Sequence, residues 1–258
     1  MKDIIETVPE LALKKNLSPE VVKTCLERAI EGAVCEFFDI RDCDADVEDG
    51  VVIAHHHVGE DMGIGEGQWF YAWAFYGDVI SVEYTFACFE GIAPVLERTE
   101  ELFYRMLDDV AADELLKKWR KKVHEAVEGV IIAKGPEQIE IDLGDGVKGI
   151  MPRRRWVKRE VSSYRHGKLM YFYVLKANRT GNDVVVELSR NSIGLPATLV
   201  EQFAPWTKVK PVRRIAGRKS WVTSDSPVTS TLLREVGKLL NGEVVEVVSG
   251  GIRRDGNP

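Results

Sequence analysis

Between Val21 and Phe37 apolar residues recur every three to four positions (Val21, Val22, Cys25, Leu26, Ala29, Ile30, Ala33, Val34, Phe37), while Lys23, Glu27, Arg28 and Glu31 fall outside the stripe. That period predicts an amphipathic helix of about five turns over Ser18–Phe38. Its start is marked by Ser18 as a cap, Pro19 at the first position and Glu20 complementing the helix dipole. Residues 1–14 are expected to form a shorter helix. After Phe38, alternation and aromatic content predict strands over Asp46–Ala54, Gln68–Phe75 and Asp78–Phe89, broken at Gly63-x-Gly65-x-Gly67 and at Gly77-Asp78. From Arg98 to Lys122 the helical period returns, through Leu102, Phe103, Met106, Leu107, Val110, Leu115, Leu116 and Trp119.

From Glu125 to Arg190 the pattern is one of short strands: Val127–Ala133, Gln138–Leu143, Val147–Met151, Lys168–Ala177 and Asp183–Leu188. Lys134-Gly135-Pro136, Gly144-Asp145-Gly146 and Asn178–Asn182 supply turns. Five strands with a longer connection between the third and fourth fit an OB-type barrel; a generic five-stranded sheet is the alternative. Gly194–Pro196 reads as a linker. The remainder reads helix (Ala197–Phe203), strand (Lys208–Ile215), strand (Arg218–Thr223), helix (Ser230–Leu240), strand (Glu243–Val248), a small α+β module. The fold class expected is therefore α+β and multidomain.

Charge divides the chain along the same lines. Residues 1–113 carry 8 Lys/Arg against 25 Asp/Glu, a net −17, whereas residues 114–258 carry 27 against 16, a net +11. Two surfaces with different partners are expected, the basic one being a candidate for nucleic acid. Neither a run of about 18 apolar residues nor a basic leader followed by an apolar stretch is present, so no membrane association and a cytoplasmic location are expected. Cys25, Cys35, Cys43 and Cys88 lack metal-ligand spacing and suit free thiols.

The densest basic run, Arg153-Arg154-Arg155-Trp156-Val157-Lys158-Arg159, lies in the long connection of the barrel, where guanidinium groups can hold phosphates and Trp156 can stack on a base. Arg165, Lys168 and Arg179 extend it. Arg213-Arg214 and Arg218-Lys219 flank a hairpin at Ala216-Gly217 and offer a second set of phosphate contacts. The plain alternative for both runs is a solvated or protein-docking charged face. His55-His56-His57 places two imidazoles on one strand face, with Glu60 or Asp61 the nearest further ligands. A solvated strand end accounts for them better than a metal. Asp44, Asp46, Glu48 and Asp49 lack the glycine and terminal glutamate of a calcium loop. Gly63–Gly67 has no strand–loop–helix context and is expected to be a hairpin turn. Trp69, Phe70, Tyr71, Trp73, Phe75 and Tyr76 are expected to pack on the Ser18–Phe38 helix; a partner surface, made by the aromatics that one face cannot bury, is the alternative. No catalytic residue, cofactor or metal is expected.

Leu116-x-x-Trp119-x-x-x-Val123, Glu128-Gly129-Val130-Ile131, Ile139-x-Ile141-Asp142-Leu143-Gly144-Asp145-Gly146, Gly149-Ile150-Met151-Pro152 and Val184-x-Val186-x-Leu188-Ser189-Arg190 together resemble the bacterial transcription elongation and termination factor family NusA. The resemblance implies an N-terminal RNA polymerase-binding domain with its connecting helix over 1–123, an S1-type OB-fold over 124–192, a truncated KH-like module over 193–250 and a flexible tail over 251–258. It implies binding of RNA polymerase at its flap region and of nascent single-stranded RNA, by a protein that is monomeric when free. In the family Arg218 has a counterpart in the same hairpin. The G-x-x-G phosphate clamp of KH domains is replaced here by Ser224-Asp225-Ser226-Pro227-Val228-Thr229, which lacks glycine, so RNA binding by that route is not expected. A free-standing OB-fold RNA-binding protein of translation or RNA metabolism, a competitor of a full-length host factor, and an enzyme using the histidine run or the N-terminal carboxylates are the alternatives.

Overall fold

In a computed structural model of the protein, residues 2–58, 69–71, 74–75 and 77–248 are described, and the chain divides into two compact units at Ala111/Ala112. Among the described residues no helix is long and apolar enough to cross a membrane.

The first unit opens with α1 (Lys2–Glu6), α2 (Val8–Lys15) and α3 (Pro19–Phe38). Ser18 caps α3 as its spacing predicts, its hydroxyl accepting the N–H of Val21, and Asp39 ends the helix in the left-handed conformation. The buried stripe of α3, with Leu26, Ile30 and Val34 shut off from solvent, packs in one core with Val52 and Ala54 of the sheet and with Phe103 and Leu107 of α4 (Ala93–Lys121). The sheet is β1 (Asp42–Asp46), β2 (Val51–His57) and β5 (Val79–Thr85), antiparallel in that order. The single strand expected over Asp46–Ala54 is instead the second arm of a hairpin. Asp46 turns the chain by accepting the backbone N–H groups of Glu48 and Asp49, and Gly50 carries the positive φ of 68°. In place of one strand over Gln68–Phe75 there are two short paired ones, β3 (Trp69–Tyr71) and β4 (Ala74–Phe75). The Gly63–Gly67 turn, Glu60, Asp61, the side-chain packing of the Trp69–Tyr76 aromatics and the 251–258 tail lie outside the described residues.

The second unit holds the expected barrel. Strands β6 (Ala126–Lys134), β7 (Gln138–Asp142), β8 (Lys148–Pro152), β9 (Leu169–Thr180) and β10 (Asp183–Ser189) close in the order β10-β8-β7-β6-β9, with β8 and β10 parallel and all other pairs antiparallel. Alternate residues, among them Ile131, Ile139, Ile141, Met151, Phe172 and Val186, fill the interior, and Leu116 and Trp119 at the end of α4 join that core. Two strands can approach only because they carry glycine: a Cβ at Gly129 would lie 2.4 Å from Ile141 Cγ2, and one at Gly149 2.5 Å from Leu188 Cδ1.

The segment expected to be a linker at Gly194–Pro196 is packed junction instead. Leu195 is fully buried and a Cβ on Gly194 would meet the Tyr173 ring at 2.7 Å. It opens α5 (Leu195–Phe203), followed by β11 (Val209–Ile215), β12 (Lys219–Ser224), α6 (Ser230–Leu239) and β13 (Val244–Val247). The three strands form one sheet, and both helices share its core through Leu199, Val200 and Val236, with Leu240 just past the end of α6.

Candidate nucleic-acid interface

The connection from β8 to β9 runs as two 3-10 turns, Arg153–Arg155 and Lys158–Ser163. Pro152 starts it, and Trp156 anchors it from within by donating its indole N–H to the Met151 carbonyl at 2.9 Å and packing edge-on against Tyr164. With that anchor in place, Arg153 and Arg154 project outward, their side chains 65% and 70% exposed. Arg154 and Lys176 both reach Glu187, at 3.2 and 3.3 Å, and Arg155 stands 3.7 Å from it. Burial opposes the charge of Glu187, but the hydrogen bonds from Arg154 and Lys176 outweigh it and hold its pKa below the ordinary carboxylate value. Arg153 is 3.7 Å from Glu137. Lys158, Arg159 and Lys168 are exposed and have no ion-pair partner among the described residues, while Arg165 donates to the Ser162 carbonyl.

The two basic runs that the sequence separates by more than fifty residues meet here. The Ala216-Gly217 turn docks on the loop: a Cβ at Gly217 would lie 2.9 Å from Val157 Cγ1 and 3.2 Å from Arg159 Cβ. The turn thereby brings exposed Arg218 next to the stretch holding Lys158 and Arg159, while Arg213 lies 5.5 Å from the Trp221 ring centre. Lys219 is engaged by Glu246 at 2.6 Å and by the other reach of the Trp221 ring. The outer residues of the neighbouring strand β7 are Gln138, Glu140 and Asp142, so a phosphate backbone is repelled from that strand and favoured along the loop and hairpin.

A buried polar network fixes this arrangement. Glu160, inside the loop, accepts two hydrogen bonds from Arg190 and one from the Tyr164 hydroxyl, which itself accepts the N–H of Val157. Arg190 also donates to the carbonyl of Tyr171. Its own carbonyl accepts from Arg214, which in turn holds Glu243 through two bonds of 2.9 Å. Glu243 accepts as well from Ser220 and from the N–H of Gly217. Every ionised group in this chain of contacts is almost fully buried, and each has an opposite charge or several dipoles around it.

Arg214 is therefore corrected from the set of phosphate contacts: with 2% of its side chain exposed and both prongs on Glu243, it locks the hairpin and reaches no external ligand. Trp156 serves mainly as the anchor of its loop, with its indole N–H engaged and its ring half-buried. Arg179, expected to extend the patch, reaches Asp113 at 2.8 Å at the other end of the barrel. Glu160, Arg190 and Glu243 escaped the sequence reading because their partners lie about thirty residues away. The one local signal is an acid, Glu160, inside an otherwise basic run.

The loop Ser224–Thr229 is stitched together by Asp225, which accepts from Thr207 and from the N–H of Lys208. Those donors hold the Asp225 carboxyl below its ordinary pKa. A fixed anion and no glycine at this turn leave no cradle for phosphate. On the first unit, His55 and His57 stand on one face of β2 and meet Asp44 and Asp42 at 3.1 and 2.9 Å, whereas His56 turns to the Phe38 ring. Among the described residues no group of three metal-ligating side chains converges.

No family model and no curated protein matches the chain. Solved structures do. An uncharacterized protein from Methanocaldococcus jannaschii is 12% identical over a match covering 26% of this chain and 88% of that one, with a TM-score of 0.23. The a/eIF2alpha-aDim2p-rRNA complex from Pyrococcus horikoshii contains a chain 14% identical, covering 33% of this chain and 50% of that one, with a TM-score of 0.26. This chain thus spans about half the length of the second.

Proposed function

We propose that this protein is a NusA-like transcription factor that holds single-stranded RNA on the barrel and hairpin surface and binds RNA polymerase through its acidic first unit. The observation that carries the RNA part is the junction at Gly217, which seats the hairpin bearing exposed Arg218 against Val157 and Arg159 and so brings cations of two distant stretches together. A surface of this kind binds the backbone of nucleic acid with little sequence preference. The α5-β11-β12-α6-β13 module is the KH-like part of the reading, working through its hairpin and without a glycine clamp.

The polymerase part rests on the motif resemblance and on the −17 charge of residues 1–113. A groove of about 430 Å³ between α3 and α4, lined by apolar Val21, Cys25, Met106 and Val110 and by Glu20, Arg28 and Asp109 of both charges, offers a place for an amphipathic partner helix. Anchoring on polymerase would keep the RNA surface at high local concentration beside the transcript, so the individual phosphate contacts can be weak. Pausing, termination or antitermination would then change through position and without chemistry.

The test uses the full chain immobilised on a biosensor, with purified bacterial core RNA polymerase and a labelled single-stranded RNA presented separately. Retention of both is expected. Failure to retain polymerase while RNA binds would replace this reading by a free-standing RNA-binding protein.

A further inference from the structure

The end of α4 and the residue after it carry Lys117, Lys118, Arg120, Lys121 and Lys122, five cations in six residues. The helical period of the segment hides them, since the one interruption is Trp119, only 3% exposed within the barrel core. Burial of Trp119 turns its neighbours outward. Lys117, Arg120 and Lys121 stand at i, i+3 and i+4 on one helical face and are exposed. Lys118 reaches Asp145 in the β7–β8 turn at 2.8 Å, and the Lys122 ammonium lies 4.5 Å over the Trp119 ring. Lys117 meets Glu114 at 2.7 Å, whereas Arg120 and Lys121 have no ion-pair partner among the described residues.

The helix dipole rewards cations in a last turn, but it does not account for this density. Lys117 and Lys121 are like charges at i, i+4, which work against the helix. The pairs that relieve them are exposed and exchangeable. Asp145 and the Arg179–Asp113 contact place this collar at the end of the barrel holding the β7–β8 and β9–β10 turns. The 153–159 loop lies at the opposite end, where the N–H of Arg153 donates to Glu137 beside the β6–β7 turn. Five-residue β7 separates the two ends by about 17 Å at ~3.3 Å per residue, a gap that a few nucleotides span.

We infer that Lys117, Arg120 and Lys121 form a second contact for single-stranded RNA, taking phosphates of the same strand that lies on the loop and hairpin. The path of the strand rests on the RNA reading proposed above; the contact at the collar does not.

The experiment titrates a labelled 20-nucleotide poly-U RNA with the full chain between 50 and 200 mM salt. One variant is Lys117→Gln/Arg120→Gln/Lys121→Gln and the other Arg153→Gln/Arg154→Gln/Lys158→Gln. Glutamine keeps helix propensity, and thermal melts check that the folds are equal. For the collar variant the expected result is about tenfold weaker binding and a log K against log salt slope shallower by about 2, at ~0.7 per lost phosphate contact. Unchanged affinity and slope in the collar variant would overturn the inference whatever the loop variant does. Loss in the collar variant alone would keep the collar and discard the loop reading. Polyglutamate is titrated in parallel: loss of its binding with RNA binding intact would assign the collar to an acidic protein and likewise overturn the inference.

Discussion

Arg190 grips Glu160 with two prongs, Nε to Oε2 at 2.8 Å and Nη2 to Oε1 at 2.7 Å, with 0% and 2% of their side chains exposed. The pair ties the basic loop after β8 to the chain leaving β10, and through the Arg190 carbonyl to Arg214 and the hairpin. A surface assembled from two loops is thereby held by contacts that solvent and salt do not screen.

Removing one member of the pair leaves a buried charge without a partner. Arg190→Met is expected to destabilise the second unit by about 3–5 kcal/mol, read as a lower urea midpoint. The double variant Glu160→Leu/Arg190→Met should recover part of the loss. If the double variant falls further by the full sum of both singles, the two residues do not act as a pair.

Gly217 has a positive φ of 75° and no room for a side chain. Gly217→Ala is expected to cost about 1–2 kcal/mol from the left-handed conformation alone, with the contacts to Val157 and Arg159 added. RNA affinity should fall as well, because the hairpin is pushed from the loop. Wild-type unfolding and RNA titration curves for this variant would refute the docking.

Glu243 links stability to acid pH. Burial opposes its charge, but Arg214, Ser220 and the N–H of Gly217 prevail and hold its pKa below the ordinary 4.5. As the folded pKa is the lower one, the unfolded chain takes up the proton first. The stabilisation is complete above about pH 4.5 and is lost as pH falls through the folded value. Glu243→Gln should be less stable at pH 7 and show a shallower decline between pH 5 and 3. Parallel stability curves for the two proteins would count against this linkage.

Arg214 and Arg218 differ by four positions and should behave oppositely. Arg218→Gln is expected to weaken RNA binding and reduce the salt slope by about 0.7 with an unchanged melt, whereas Arg214→Gln should lower the melting temperature. Equal melts for the two would return Arg214 to the surface.

Thiol labelling separates the cysteines. Cys88 is exposed, whereas Cys25 and Cys43 are buried, and burial pushes both of their thiols above the ordinary pKa. Cys88 should react first in the native protein, with Cys25 and Cys43 reacting only as urea unfolds it. Rapid native labelling of Cys43 would contradict its burial against Cys35, whose sulfur lies 3.3 Å away.

What was legible in the amino-acid sequence is what neighbours in the chain decide. The Ser18 cap, the stripe of α3 as far as Val34, the alternation of the barrel strands and the exposure of Arg153 and Arg154 follow from local periodicity and local chemistry and stand in the structure, whereas Phe37, placed in the same stripe, is 46% exposed. Where a short-range signal competed with a turn, as at Asp46, the side-chain hydrogen bonds to Glu48 and Asp49 won over strand propensity. The linker reading of Gly194–Pro196 failed for a different reason: glycine served there to admit the Tyr173 ring. Only the tertiary structure decided which arginines face solvent. Arg214 and Arg218 look alike in sequence, but Glu243, twenty-nine positions beyond Arg214, draws one of them inward because a buried carboxylate needs a charged partner. Ion pairing acts over ångströms and is blind to chain separation, so no periodicity records it.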